Sequence, residues 1–300
     1  MSGVRAIADF SRTVADLAVT EGFYRDGLGF ERVAPPEPVP AAHAEAMGLA
    51  GLKAQQLRLR LGGQSVTFIA AEPAGAPYPA DPLTTDPFFQ HLAIPVRDMD
   101  AAIARLTRRN PTPISRGGAQ VLPASTGGVT AYKFRDPDGH PLELIYFPDG
   151  SPAERWRDAP GLFLGIDHSA ITVTDLDAIL SFLTGPLGLA IAMTGLNRGA
   201  EQARLDGVED PEVDVIALAP PMPAPHVELL HYRRPAPRRA SRAAFGPADR
   251  ASTRFVFAVP DMGSLLPALR GAGFAPHSSA DGEATYCAGP DGHGFLFVKA

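Results

Sequence analysis

Disulfide bonds within the chain are excluded, because the 300 residues include a single cysteine, Cys287. So little cysteine is typical of a protein in a reducing compartment. We expect Cys287 to behave as a small buried hydrophobic side chain rather than as a nucleophile.

Long hydrophobic runs and an excess of basic charge are also lacking. No stretch is long enough to cross a bilayer, and the first residues contain no apolar core of a secretion signal. The net charge of -6 argues against a dedicated binder of nucleic acid or of a membrane surface. We therefore expect a cytoplasmic protein with no nucleic-acid or membrane partner.

One basic stretch stands apart from this overall charge. We expect a solvated loop there, because no aromatic residues interleave with the arginines as stacking platforms would require. Its members are Arg233, Arg234, Arg238, Arg239 and Arg242.

A short pattern occurs four times along the chain, at intervals of about 80 residues. In each copy a hydrophobic strand leads into an aspartate that can cap the following helix. The four aspartates are Asp16, Asp98, Asp175 and Asp261. This interval is too long for a solenoid, so the repeat indicates four separate modules. We place the modules at residues 4–72, 88–148, 164–233 and 252–300.

Within each module, the pattern of one strand, one helix and several short strands predicts a βαβββ unit and an α+β fold. We divide the chain into a first region at residues 4–150 and a second at 163–300. A linker at about residues 148–162 contains the only tryptophan, Trp156. The proline-rich and alanine-rich stretch at 35–48 is predicted to be an inserted loop.

Equivalent positions of the four modules carry residue types that can bind metal. Seven residues before each capping aspartate, the opening strands carry Asp9, His91, His168 and Arg254. The closing strands carry Thr67, Glu143, Glu228 and Leu296. Modules two and three therefore each supply one histidine and one glutamate, whereas the outer modules have no full set.

Two segments resemble signatures of the vicinal oxygen chelate superfamily, which includes glyoxalase I, extradiol dioxygenases and bleomycin-resistance proteins. They are EGFYRDGLGF at residues 21–30 and FRDPDGHPLELIYF at residues 134–147. The resemblance implies that βαβββ modules pair into two cup-shaped half-barrels, with metal ligands on the first and last strands of each module. It also implies a small-molecule substrate and a monomer or homodimer.

The resemblance assigns four metal ligands to this sequence: His91, Glu143, His168 and Glu228. Two imidazoles and two carboxylates suit a divalent metal such as Ni, Zn, Co, Mn or Fe, with positions left for substrate. A bound metal would also remove the cost of burying Glu143 and Glu228 among apolar strand neighbours. His226 shares the strand face of Glu228 and is a further candidate to line the site.

Two arrangements of the modules remain open. In a sequential arrangement, module one pairs with module two and module three with module four. In a nested arrangement, modules two and three pair, and modules one and four close around them. We favour the nested arrangement because it collects the four ligand candidates in one cup, but the length of the linker allows either.

The function implied by the resemblance is that of a metal-dependent enzyme of glyoxalase type, a lyase or isomerase. It would act on a small oxygen-chelating substrate through an enediolate-like intermediate, with Glu143 or Glu228 moving the proton. Tyr132 and Arg116 are candidates for substrate binding. The alternatives are an extradiol dioxygenase that uses Fe(II) and a metal-free binding protein of bleomycin-resistance type.

Overall fold

The computed structural model describes residues 3–148, 150–222, 225–239 and 245–300. Residue 149 of the predicted linker and Arg242 of the basic stretch lie outside these ranges. The helices are α1 (Leu17–Gly22), α2 (Ala41–Met47), α3 (Met99–Thr107), α4 (Ser151–Trp156), α5 (Leu176–Thr184), α6 (Ala200–Asp206) and α7 (Met262–Gly271), with a π-helical turn at Phe23–Gly27 and a 3-10 turn at Ala124–Thr126.

Strands make up most of the remaining regular structure. They are β1 (Ala6–Thr13), β2 (Glu31–Arg32), β3 (Glu37–Pro38), β4 (Lys53–Leu61), β5 (Gln64–Glu72), β6 (Gln90–Pro95), β7 (Thr112–Pro113), β8 (Gln120–Val121), β9 (Thr130–Arg135), β10 (Pro141–Tyr146), β11 (His168–Thr172), β12 (Ala190–Arg198), β13 (Glu212–Ala219), β14 (His226–Arg234), β15 (Thr253–Val259), β16 (His277–Ser278), β17 (Ala284–Ala288) and β18 (Gly294–Lys299).

The four repeated aspartates cap helices as the sequence predicts. Asp98 and Asp175 each accept a hydrogen bond from a backbone N–H in the first turn of the helix that follows. Asp16 and Asp261 each accept two such bonds. Each cap satisfies donors that the helix leaves unpaired and fixes the point where the chain turns from strand to helix.

Two mixed sheets with helices form an α+β fold of two open cups, in the nested arrangement. The outer sheet joins modules one and four in the order β16-β17-β18-β15-β1-β5-β4-β2, with β3 on β4. The inner sheet joins modules two and three in the order β12-β13-β14-β11-β6-β10-β9-β7, with β8 on β9. Each sheet therefore takes one half from each of the two sequence regions.

The inner sheet is symmetric about its central strands. β6 and β11 are antiparallel, with His91 opposite Ala170 and His168 opposite Ala93. On the outer sides, Glu143 of β10 pairs with Ala93, and Glu228 of β14 pairs with Ala170. Because side chains alternate between the faces of a strand, this register can place both histidines and both glutamates on one face.

Two equivalent turns connect the two sheets. The turn before β10 contributes His140, whose Nε2 lies 2.8 Å from the carbonyl oxygen of Thr13 at the end of β1. The turn before β18 contributes His293, whose Nε2 lies 2.8 Å from the carbonyl oxygen of Thr172 at the end of β11. Both imidazoles are fully buried. Each turn therefore connects the end of one sheet to the opening strand of the other.

The inserted segment at 35–48 is a helix where the sequence predicts a loop. Helix α2 and the residue after its C-cap, Leu49, pack on the concave face of the outer sheet. The buried partners there include Val256 and Leu296. Leu296 is the outer-sheet equivalent of Glu228, so the helix occupies the space that corresponds to the inner cup. The prediction failed because apolar contacts with distant strands, rather than local propensity, stabilise this helix.

Three expectations from composition concern the rest of the fold. Cys287 is buried and forms no disulfide. Among the described residues, no helix combines the length and apolar character needed to span a bilayer. The basic stretch is only partly the predicted solvated loop: Arg233 and Arg234 are exposed but belong to β14, and Arg239 forms an ion pair with the fully buried Asp86.

Candidate metal centre

The concave face of the inner sheet brings the four predicted ligands together. His91 and His168 come from the two central strands, and Glu143 and Glu228 come from the strands on either side. The two imidazole rings are 5.5 Å apart between centroids. Each sequence region thus contributes one histidine and one carboxylate to one cluster.

Three of the four residues form the closest group. Nε2 of His91 lies 3.1 Å from Oε2 of Glu143, and Nε2 of His168 lies 3.8 Å from the same oxygen. Two neighbouring ligands of one divalent ion are about 3 Å apart when each lies about 2.1 Å from it. Glu228 completes the cluster, with its Oε1 3.7 Å from Nε2 of His168.

The donor atoms of the two histidines are buried without hydrogen-bond partners. Among the described residues, Nε2 of His91 and Nε2 of His168 have none, although carboxylate oxygens lie close to both. Buried polar atoms are rarely left unsatisfied in proteins. A divalent cation between these nitrogens and the carboxylates would satisfy them all, so the donor set fits a metal.

Charges in the cluster are divided unevenly. Burial lowers the pKa of His91 to about 4, so this imidazole is neutral at pH 7 and ready to bind a metal. Burial would also lower the pKa of His168, but the nearby carboxylates of Glu228 and Asp167 outweigh it and raise the value to about 9. A metal bound at this site would therefore have to replace a proton on His168.

The two glutamates of the cluster also differ from each other in pKa. Burial would raise the pKa of Glu143, but the adjacent His91 and Lys133 outweigh burial and lower it to about 2. Burial raises the pKa of Glu228 above its usual value, and the negative charge of Glu143 acts in the same direction. Glu143 is thus a permanent carboxylate, whereas Glu228 holds a proton more readily.

The side of the cup next to Glu143 is closed by a buried ion pair. Lys133 lies opposite Glu143 on the neighbouring strand, and its Nζ is 2.7 Å from Oδ1 of Asp206 at the end of helix α6. Tyr232 and Gln202 also donate hydrogen bonds to Asp206. Helix α6 therefore covers part of the inner cup, and the negative charge of its last residue, Asp206, is balanced by Lys133 of the sheet.

Exposure of the cluster is greatest on the side of module three. Side chains of Glu228 and His226 are 14% and 15% exposed, whereas those of His91, Glu143 and His168 are 7% exposed or less. His226 stacks near His168, with ring centroids 5.1 Å apart. The cluster is therefore least buried at Glu228 and His226.

Equivalent positions in the outer cup form no comparable cluster. Asp9 accepts a hydrogen bond from Thr67, and Arg254 donates to the Ser252 hydroxyl and to the carbonyl of Pro247. A guanidinium cannot act as a ligand because it has no acceptor. The outer cup therefore combines unsuitable side chains with an interior filled by α2.

Neither predicted substrate-binding residue lies at the cluster. Tyr132 pairs with Leu144 rather than with Glu143, so its side chain lies on the opposite face of the sheet, where its ring stacks on Phe134. Arg116 is on the surface and binds Glu209 and the carbonyl of Gly207. The alternation of β9 makes Lys133, and not Tyr132, the neighbour of Glu143.

Sequence reasoning missed two buried groups around the cluster. Lys133 was one residue away from the predicted Tyr132, and the strand alternation counted from Glu143 could have found it. Asp167 precedes His168 directly, and its Oδ2 is 3.0 Å from Nδ1 of His168. The sequence next to His168 gave no reason to expect that this carboxylate would be buried.

The chain belongs to the Glyoxalase/Bleomycin resistance protein/Dioxygenase superfamily. The model of this family matches residues 6–144 and 165–297, which together span most of the chain. Both matched segments contain one histidine and one glutamate of the cluster.

Solved structures with the same fold include glyoxalase I from Zea mays. The two proteins are 14% identical, with a TM-score of 0.63, and the alignment covers 98% of this chain and 92% of the maize protein. A protein described as a candidate dioxygenase from Bacillus subtilis subsp. subtilis str. 168 is 15% identical, with a TM-score of 0.61, covering 100% of this chain and 86% of the other. At such identities the similarity shows the fold alone. No curated protein sequence matches this chain.

Proposed function

We propose that this protein is a metal-dependent enzyme of glyoxalase type, a lyase or isomerase that transfers a proton at a carbon next to a carbonyl group. Its substrate would be a small molecule with two adjacent oxygen atoms. The observation that carries the proposal is the convergence of the buried Nε2 atoms of His91 and His168 on the carboxylate of Glu143.

The proposed ligands are His91, Glu143 and His168, with Glu228 as the fourth. A divalent metal, such as Ni, Zn, Co, Mn or Fe, would supply Lewis-acid stabilisation of negative charge that develops on the substrate oxygens. Neutral His91 and ionised Glu143 are in the protonation states that ligands require. His168 reaches that state by releasing its proton.

Glu228 is the residue that we assign to proton transfer. It is the most exposed of the four carboxylate and imidazole side chains and borders the opening of the cup. A general base must lie within reach of the substrate and hold a proton during part of the cycle, which suits a carboxyl with a raised pKa. Glu143, whose carboxylate stays ionised, is better suited to permanent ligation.

Metal content and proton exchange test this assignment. Elemental mass spectrometry of protein purified without chelator should find about one divalent metal per chain, and His91→Ala should remove it. Glu228→Gln should retain more metal than His91→Ala but lose exchange of substrate C–H for deuterium, followed by NMR with a panel of α-hydroxy carbonyl compounds. Wild-type protein that binds no metal on titration would contradict the proposal and leave a binding protein of bleomycin-resistance type.

An extradiol dioxygenase that uses Fe(II) is the second candidate function. The specific observation in its favour is that His91, Glu143 and His168 form a close group of two histidines and one carboxylate. Anaerobic loading with Fe(II), followed by oxygen-uptake measurements with catechols, separates the two candidates. Oxygen uptake without deuterium exchange would favour the dioxygenase.

The proposal extends to the binding partners of the protein and to its cellular compartment. A small-molecule substrate fits the narrow, largely buried cluster, and either a monomer or a homodimer could carry it, because both halves of the site lie in one chain. The buried Cys287, which forms no disulfide, supports a reducing compartment such as the cytoplasm.

A further inference from the structure

We propose that Asp167 is a positioning residue of the metal centre, and that the linker helix α4 holds it in place through Arg155 and Trp156. This inference rests on the proposed metal-dependent function. It assigns a role to the linker, which otherwise only joins module two to module three.

The contacts of Asp167 form a continuous chain from the linker to the cluster. Oδ2 of Asp167 lies 3.0 Å from Nδ1 of His168. Its other oxygen, Oδ1, accepts hydrogen bonds from Nε1 of Trp156 and from a guanidinium nitrogen of Arg155, each at 3.1 Å. Asp167 is only 5% exposed, so these bonds form where water competes little.

The bond to Asp167 determines which nitrogen of His168 is available. When Nδ1 donates its proton to Asp167, Nε2 is the nitrogen left to bind a metal. Nε2 of His168 faces both glutamates, at 3.8 Å from Glu143 and 3.7 Å from Glu228. A carboxylate that binds the second nitrogen of a metal-ligating histidine fixes the ring and makes it a stronger ligand.

A second metal site at Asp167 is the competing explanation, and the contacts argue against it. Asp167, His168 and His226 bring three donor atoms close together. However, the Asp167 carboxylate already accepts bonds from Trp156, Arg155 and His168. The positive charge of Arg155 at this carboxylate disfavours a divalent cation there. Asp167 is thus already satisfied by protein donors.

The chain is shaped to let the indole reach Asp167. Trp156 is 7% exposed and packs over the backbone of Gly165, just before Asp167. A Cβ at residue 165 would lie 2.5 Å from the indole ring and 2.6 Å from Oε1 of Gln64, which accepts a hydrogen bond from the N–H of Ile166. Glycine at 165 therefore allows Trp156 and Gln64 to converge on the segment that leads to His168.

Metal affinity and a spectroscopic probe test the role of Asp167. We compare Asp167→Asn and Trp156→Phe with wild type, measuring the metal Kd by competition with a chromophoric chelator and the visible spectrum of the Co(II)-loaded protein. Asp167→Asn should weaken binding by about 10-fold to 100-fold and alter the Co(II) spectrum. Trp156→Phe, which removes the indole N–H donor but keeps an aromatic ring, should weaken binding in the same direction by less.

Arg157→Ala is the matched control from the same linker. Arg157 follows Trp156, is 70% exposed and pairs only with Glu154 on the surface. It should leave the Kd and the Co(II) spectrum unchanged. If Asp167→Asn binds metal as tightly as wild type with the same Co(II) spectrum, Asp167 has no positioning role. If Asp167→Asn does not fold, the comparison of Trp156→Phe with Arg157→Ala decides.

Nitrogen-15 NMR of the metal-free protein makes the test independent of the proposed function. Wild type should show a slowly exchanging Nδ1–H on His168, and Asp167→Asn should lose this protection. If the wild-type protein binds no metal yet shows this protection, the proposed function is refuted, but the inference that Asp167 orients the ring of His168 still holds. Equal exchange in wild type and Asp167→Asn would overturn the inference itself.

Discussion

Asp9 and His91 hold equivalent positions in the two cups, yet their surroundings differ. His91 faces a carboxylate and has a neutral, unpaired imidazole. Asp9 accepts bonds from the Thr67 hydroxyl and from the N–H of Phe10, and Arg58 lies 3.6 Å away. These contacts do not compensate fully for burial, which raises the pKa of Asp9 to about 6. The ionised carboxylate of Asp9 therefore destabilises the folded state.

The raised pKa of Asp9 predicts a pH-dependent loss of stability. The unfolded carboxyl releases its proton near pH 3.8, whereas the folded one keeps it up to about pH 6. Stability from this residue is therefore present below pH 3.8 and lost as the pH rises through 6, by about 3 kcal/mol at most. Urea unfolding of wild type and Asp9→Asn between pH 3.5 and about 7.5 measures the difference.

Asp9→Asn should become more stable relative to wild type as the pH rises over this range. Thr67→Val is a useful comparison, because it keeps Asp9 but removes the hydroxyl that donates to it, and should enlarge the pH effect. A constant difference between wild type and Asp9→Asn at every pH would show that Asp9 titrates in the same range in both states.

Helix α2 is the element that fills the interior of the outer cup. Ala46, Met47 and the adjacent Leu49 are buried against strands from both ends of the sequence. The same sheet face in the inner cup carries the metal cluster, and α6 covers only part of it. We expect α2 to matter for stability and to be irrelevant to metal binding.

Leu49→Ala tests this separation of roles. Leu49 is fully buried, so its truncation should lower the free energy of unfolding by about 2–5 kcal/mol, through lost contacts and the cavity left behind. Metal content per folded chain should stay at the wild-type level. Val19→Ala is the matched control, because Val19 is 54% exposed on α1, and its truncation should change stability by less than about 0.5 kcal/mol. Loss of metal from Leu49→Ala would show that the two cups are coupled.

Elements that are stabilised by residues close in sequence could be predicted from the sequence. Elements that are stabilised by residues distant in sequence could not. The four aspartate caps depend on neighbours a few residues away. Helix α2 depends on Val256 and Leu296, and the Lys133–Asp206 pair depends on α6. Asp167 acquires its role from Trp156, whose contact with it needs the folded linker.

At the scale of the whole molecule, each sheet is assembled from both halves of the chain. β1 pairs with β15, and β6 pairs with β11. A fragment that ends in the linker therefore has two half-sheets with their central edges unpaired, which favours association or unfolding. The linker length alone could not reveal this pairing, since both module arrangements were compatible with it.

Fragment complementation tests the assembly and the site together. We expect residues 1–158 and 159–300, produced separately, not to form stable monomers, and mixing them after co-refolding to restore one compact complex. Metal binding should appear only in the mixture, because His91 and Glu143 lie in the first fragment and His168 and Glu228 in the second. Size-exclusion chromatography, circular dichroism and metal analysis provide the readout. A first fragment that is monomeric, folded and metal-binding by itself would contradict the nested assembly.

The filled outer cup also affects the expected shape of the curve for titration of the protein with metal or substrate. The two cups are built on the same strand plan, but among the described residues only the inner cup gathers side chains that could bind a metal, and α2 fills the outer cup. With the proposed metal site as its single centre, an isolated chain is expected to give a hyperbolic equilibrium titration with metal or substrate, with a Hill coefficient of one. A sigmoidal response would then indicate association between chains, since the described residues of the outer cup gather no second set of ligands.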